Sequence, residues 1–242
     1  MLKVMGDILL ALDSGNLAML SLLDLSVAFD TVDHDTLLRR LQTSYGFDGI
    51  VIKWFISYLS GRVQDVRTPT TTSSQSPVVH GVPQGSVLGP ILFLLYVADL
   101  LKLIKWHQLV PNAYADDIQI YGFCRPSSVN CLADRVSACI DEVSSWMRSN
   151  WLQINPSKTE VLWCSSSRRQ HQIPTSPVHI GSTYVLPVTS VHDLGLYTDC
   201  DVSLQTHVTA TVRSCFAALR QIRSVRRCTV SHGTPCCRSS VR

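Results

Sequence analysis

The sequence predicts an α+β fold, in which an antiparallel sheet carries helices on one face. Three observations lead to it. Residues 17–25 are a nearly continuous apolar run of strand length, consistent with a buried strand. Residues 112–121 place two short apolar stretches on either side of adjacent aspartates, the pattern of a hairpin. Residues 86–106 and 127–148 read as two long helices, enough to cover such a sheet.

Leu2, Met5, Leu9 and Leu12 stand at helical spacing, and a turn at Asp13, Ser14 and Gly15 ends that helix. After the strand at 17–25, Asp33 or Asp35 caps a short helix over 36–42. Asp48 caps another over 49–59, where Ile50, Val51, Trp54, Phe55, Tyr58 and Leu59 fit a 3.6-residue period. Residues 62–66 and 78–79 read as strands, separated by an exposed Ser/Thr-rich loop at 68–76. The helix over 86–106 carries Pro90 in its first turn, where proline is tolerated. The helix over 127–148 sets Val129, Leu132, Val136, Ile140, Val143 and Met147 on one face. Residues 160–164 and 194–198 are expected strands. Residues 203–227 form a helix with Val208, Val212, Cys215, Phe216, Leu219 and Ile222 inward and arginines outward. Residues 228–242 show no period and are expected to be irregular.

The 242 residues fit one large domain or two small ones, and a hydrophobic content of 45% supports a full core. Seven arginines and no acidic residue lie between Arg213 and Arg242, which suits either a phosphate-contacting element or a solvated tail. Nine cysteines, an odd number without C-x-x-C spacing, exclude a zinc motif and read as free thiols in a reducing compartment. The N-terminus lacks the features of a secretory signal, so an intracellular setting, nucleus and/or cytoplasm, is expected. The longest apolar run, 91–98, is too short to cross a bilayer, and no membrane partner is expected.

Three features carry chemistry. Asp24 ends a buried apolar strand, where a carboxylate needs a cation, a metal or hydrogen bonds, unless it caps the next turn. Asp116 and Asp117 repel each other at a hairpin tip; a hard divalent cation would relieve that repulsion, although an Asp-rich turn is also common. If the two strands are neighbours, three carboxylates converge, as a two-metal phosphoryl-transfer site requires. The Gly/Pro-rich loop at 80–90 precedes a helix; its glycines permit close backbone approach to a ligand, and Gln84 offers hydrogen bonds.

These residues resemble a known family. LDLSVAFDTVDH (residues 23–34), GVPQGSVLGP (81–90) and YADD (114–117) resemble polymerase motifs A, B and C of LINE-type, non-LTR retrotransposon reverse transcriptases. WLQINPSKTE (151–160) and HDLGLY (192–197) are similar to motifs D and E. The likeness covers nearly the whole chain and keeps the family's motif order.

The resemblance implies a right-hand polymerase palm over residues 1–200, with a partial fingers insertion at about 35–80 and the start of a thumb helix at 201–227. It implies RNA-directed DNA polymerisation with two Mg²⁺ (or Mn²⁺) ions, an RNA template, a DNA primer and deoxynucleoside triphosphates. Asp24, Asp116 and Asp117 would be the metal ligands and catalytic carboxylates. Leu25 and Ser26 would approach the triphosphate, and Phe29 would be the aromatic gate against a ribose 2′-hydroxyl, while also packing in the core. Gln84 and Gly85 would line the nucleotide and template side. Lys158 would protonate the leaving pyrophosphate or be a surface charge. Leu194 and Gly195 would shape the primer grip. Asp30, Asp33 and His34 would brace the helix after motif A. Upstream finger motifs and an endonuclease domain of the family have no counterpart here, so a truncated polymerase is expected; the alternative is a catalytically inactive nucleic-acid-binding relic. An RNA-directed RNA polymerase shares the palm, but Phe29 and the YADD box argue against it.

Overall fold

The computed structural model describes residues 2–26, 28–83, 85–180 and 183–231. Helix α1 (Leu2–Asp13) turns at Gly15, whose φ of +80° suits a residue without a Cβ, and feeds strand β1 (Leu17–Leu23). Four antiparallel strands form the main sheet in the order β4 (Val110–Tyr114), β5 (Asp117–Cys124), β1, β6 (Glu160–Cys164). The register pairs Leu20 with Tyr121 and Leu162, and Leu22 with Gln119 and Glu160.

Side chains alternate across this sheet. Met19, Leu23, Ile118, Ile120, Val161 and Trp163 join the core built by α4 (Leu88–Trp106) and α5 (Val129–Arg148). Ala18, Leu20, Leu22, Tyr121, Leu162 and Cys164 belong to a second core with Val4, Ile8 and Leu12 of α1. The two long helices do share one face, and α1 adds a cover on the other. Strand β1 is therefore buried on both faces, which explains why its sequence shows no polar alternation.

Helix α2 (His34–Thr43) starts at Asp33, whose carboxylate accepts from Thr36 N at 2.8 Å. Leu37 and Leu41 are its buried residues, and Arg40 reaches over the rings of Tyr96 and Trp146 while donating to Asn150 Oδ1 at 2.5 Å. Helix α3 (Gly49–Leu59) comes next; Asp48 stands at its cap position without a side-chain capping bond. Strands β2 (Val63–Gln64) and β3 (Ser76–Pro77) form a short exposed ribbon. Two more hairpins lie beyond the sheet: β7 (Val178–Ile180) with β8 (Thr183–Val185), and β9 (Ser190–Asp193) with β10 (Leu196–Asp199). Asp199 Oδ2 accepts from Thr206 N at 3.0 Å at the start of α6 (Gln205–Ser231).

Three expectations need correction. On α3 the buried residues are Ile52 and Leu59, whereas Ile50 is 83% and Trp54 52% exposed. The segment is apolar nearly all round, so its period does not single out a face. On α6 the expected inward residues Val208, Val212, Cys215, Phe216, Leu219 and Ile222 are exposed, because none of the described elements covers that stripe. The helix also runs on to Ser231, into the stretch read as irregular; residues 232–242 lie outside the described residues. Finally, residues 194–198 are not one strand: they make the turn and second strand of the β9–β10 hairpin.

Candidate active site

The chemistry gathers where β1 and β5 meet at one edge of the sheet. Leu23 pairs with Ile118, so the next step of the ladder brings Asp24 beside Asp117. Both keep the alternation of Leu22 and Gln119 and therefore face the α1 side, away from α4 and α5. They line one small hollow of about 80 Å³ together with Gln119, Lys158, Glu160 and Asp193. Asp116 stands in the two-residue turn between the paired Tyr114 and Asp117. Its neighbour Ala115 has a φ of +55°, a sparsely populated conformation for a residue with a Cβ and one that recurs at functional turns.

Electrostatics match this crowding. Burial pushes the Asp117 carboxyl above the ordinary range, and the negative charges of Asp116, Asp193 and Asp24 push it further. Lys158 stands across the hollow with Nζ 3.5 Å from Asp24 Oδ2. It is placed by the segment after α5: Leu25 bridges to Ile154, Ser26 N donates to Gln153 O at 2.9 Å, and Asn155 N donates to Asp24 O at 2.8 Å. Motif D is thus stitched to motif A by backbone bonds.

The carboxylates supply the hard oxygen donors that Mg²⁺ or Mn²⁺ takes, and their mutual repulsion is what such an ion would offset. They are neighbours without forming a closed cage: among the described residues, no group of three or more His, Cys, Asp or Glu side chains is gathered tightly enough to enclose an ion.

The other expected residues divide. Phe29 is half-buried, its ring centroid 5.2 Å from that of Phe93, and its carbonyl accepts from Val82 N at 2.8 Å. Leu25 is buried, its side chain in the core with α4 and α5, and the Ser26 N–H is engaged by Gln153 O. Gly85 is exposed with φ +77° and open space around it. Gln84 lies outside the described residues. Leu194 and Gly195, at φ +47° and +79°, make the tip of the β9–β10 hairpin. Asp33 and His34 do brace α2 and its surroundings: Asp33 caps the helix, and His34 Nε2 contacts Gly81 O at 2.7 Å, tying the motif B loop to the end of motif A.

Sequence reading missed Gln119, Glu160 and Asp193. Burial raises the carboxyls of both Glu160 and Asp193. A signal existed for Gln119, a lone amide inside an Ile-Gln-Ile strand; its partner Asp193, 74 positions away, lies within the HDLGLY segment, where nothing local marks it as that partner.

A family model described as reverse transcriptase (RNA-dependent DNA polymerase) matches residues 7–197. The chain is 28% identical over 231 residues to a probable RNA-directed DNA polymerase from transposon BS of Drosophila melanogaster, covering 91% of this chain and 24% of that protein. It is 30% identical over 211 residues to the corresponding protein of transposon X-element from the same organism, covering 86% of this chain and 22% of the relative. The chain thus spans about a quarter of the length of these curated relatives. Among solved structures, apo telomerase from Candida tropicalis superposes with a TM-score of 0.56 at 16% identity, covering 83% of this chain and 39% of the telomerase. Telomerase from Candida albicans, in complex with a telomeric RNA fragment, also gives a TM-score of 0.56 at 16% identity and covers 83% of this chain and 33% of its own. That likeness establishes the polymerase palm as the fold. The chain belongs to the reverse transcriptase (RNA-dependent DNA polymerase) family, among the members carried by LINE-type, non-LTR retrotransposons.

Proposed function

We propose that this chain is the palm-centred part of an RNA-directed DNA polymerase that extends a DNA primer on an RNA template with deoxynucleoside triphosphates. The observation that carries the reading is the placement of Asp24 and Asp117 side by side at the sheet edge, with Asp116 in the adjoining turn. Asp24, Asp116 and Asp117 would hold two Mg²⁺ or Mn²⁺ ions. When bound, such ions activate the attacking hydroxyl and neutralise the triphosphate. Lys158, on the same hollow, is assigned to deliver a proton to the leaving pyrophosphate, and its 3.5 Å approach to Asp24 supports a place beside the reacting phosphates. Phe29, backed by Phe93, is the aromatic wall against a 2′-hydroxyl. Gln84 and Gly85 are assigned to the nucleotide and template side, and the backbone at Leu25 and Ser26 to the approach of the triphosphate.

Residues 35–80, including α2, α3 and the β2–β3 ribbon, are assigned to the fingers, the β9–β10 tip at Leu194 and Gly195 to the primer grip, and residues 201–227 to the start of the thumb. Arg213, Arg220 and Arg223 on α6 are exposed and suited to a phosphate backbone. Among the described residues no helix is long and apolar enough to cross a membrane. The setting we assign is intracellular, where templates and deoxynucleotides meet. Primer extension on an RNA template with Mg²⁺ or Mn²⁺, compared with Asp116→Ala, tests the assignment; equal incorporation by the two proteins refutes it.

A second reading, a nucleic-acid-binding relic without catalysis, is favoured by the exposed arginines Arg213, Arg220 and Arg223 on α6. Salt-sensitive RNA binding without incorporation under either metal would select it.

A further inference from the structure

A second polar row lies directly behind the carboxylates, and nucleotidyl transfer as assigned above makes no use of it. Asn112 is paired opposite Gln119 in the β4–β5 ladder, and its Nδ2 donates to Gln119 Oε1 at 2.7 Å. Gln119 in turn donates from Nε2 to Asp193 Oδ2. Gln119 is 1% and Asp193 8% exposed, so water competes little for these bonds. An amide within an apolar strand is costly unless both its ends are matched, and here both are: one by the hairpin that carries Asp117, the other by the β9–β10 hairpin.

We propose that Gln119 and Asp193 are positioning residues forming a latch, which holds the β9–β10 hairpin in register with the catalytic hairpin and so fixes the height at which the primer terminus meets Asp117. This rests on the assignment of that hairpin as the primer grip. Gln119 lies two positions after Asp117 on the same strand and face, and Asp193 immediately precedes Leu194. The hairpin also presses Val191 into the α1 core, and backbone bonds from Val188 N to Val161 O and from Ser165 N to Cys200 O hold its open end on β6, away from the tip at Leu194 and Gly195. The Gln119–Asp193 bond is directional and joins the two hairpins through buried atoms.

The test compares Asp193→Ala, Asp193→Asn, Gln119→Ala and the double alanine variant in the full chain. Asp193→Ala is expected to raise KM for primer–template about tenfold, the scale of one buried hydrogen bond to a charged group, at unchanged KM for deoxynucleotide, with a melting temperature a few degrees lower because Gln119 Nε2 is left buried and unpaired. Asp193→Asn keeps an oxygen that accepts from Gln119 and is expected to recover to within about twofold. The two alanine changes should be non-additive. An asparagine variant as poor as alanine, additive effects, or both KM values moving together with melting would overturn the latch. If the unsubstituted chain extends no primer, the functional assignment fails, and amide hydrogen exchange decides the latch separately. Asp193→Ala should then speed exchange at residues 117–119 as well as 194–197 while leaving α4 and α5 unchanged; no change at 117–119 overturns it.

Discussion

Gly81 is the position at which one added methyl group should do most damage, and the structure says how much. Its φ is +88°, where an L-residue costs about 1–2 kcal/mol more than glycine. A Cβ there would also lie 2.9 Å from both Asp30 Cα and Phe29 O, and neither backbone atom can rotate away. Relieving that contact means lifting the motif B loop from motif A, which strains three bonds: Gly81 N to Val32 O, Val82 N to Phe29 O, and His34 Nε2 to Gly81 O, at 2.7–2.8 Å. The expected cost of Gly81→Ala is therefore about 2–4 kcal/mol, within the range of strained-backbone substitutions. At about 2–4 °C per kcal/mol for a chain of this size, Tm falls by roughly 5–15 °C. Gly6 is the control, since it lies within α1 with nothing within 4 Å of an added Cβ. Gly6→Ala should stabilise by about 0.5–1 kcal/mol through helix propensity alone. Urea unfolding of the three proteins, monitored by circular dichroism, reads both effects. Equal midpoints for Gly81→Ala and the unsubstituted chain would refute the close approach of the two motifs.

The same geometry sets other outcomes. Phe29→Val should weaken discrimination against ribonucleotides by roughly 10–100-fold, measured as the ratio of kcat/KM for the two sugars; an unchanged ratio removes Phe29 from the gate. Asp33 accepts from Thr36, which holds its carboxyl below the ordinary range despite partial burial. A lowered folded value means stability present above the unfolded value and lost as pH falls through the folded one. Asp33→Ala should thus cost about 1 kcal/mol near neutrality, a difference that shrinks as pH falls below about 3.9; Asp33→Asn, which keeps a capping oxygen but also removes the titrating group, should start from a smaller difference and show the same pH slope. Burial pushes the thiols of Cys139 and Cys164 up to about 12, while Cys131 and Cys215 are exposed. Alkylation near pH 8, mapped by mass spectrometry, should label Cys131 and Cys215 first and reach Cys139 and Cys164 only on unfolding.

The candidate site was legible where a charged group stood out against its own local pattern. Asp24 closes an apolar strand, and Asp116 and Asp117 interrupt two short ones, so each is anomalous within a window of a few residues. Asp33 was legible as a cap for the same local reason, and the structure gives it the Thr36 bond. The β9–β10 hairpin was half legible. Gly195 marks its turn, but Leu194 beside it takes a φ of +47° that no leucine advertises, so the turn was read as part of a strand. That conformation belongs to the two-residue turn closed by the pairing of Asp193 with Leu196, whose central residues both take positive φ, so the turn geometry overrides leucine's own preference.

Partnership is what a local pattern does not encode. The stripe on α6 shows that one side of the helix is apolar, but not which element, if any, covers it, and Phe216 is 60% exposed. On α3 the ambiguity is sharper. With apolar residues on every side, the burial of Ile52 rather than Ile50 is decided by where α2 lies. Gln119 shows the same division at the site itself. Its oddness within β5 is visible in the sequence, yet its meaning depends on Asp193, which reaches it because Val191 against α1 and the Val188–Val161 backbone bond seat the hairpin on the sheet. The carboxylates could therefore be found one at a time, whereas the scaffold that sets their spacing to the primer-side hairpin exists only once the sheet, α1 and that hairpin have packed together.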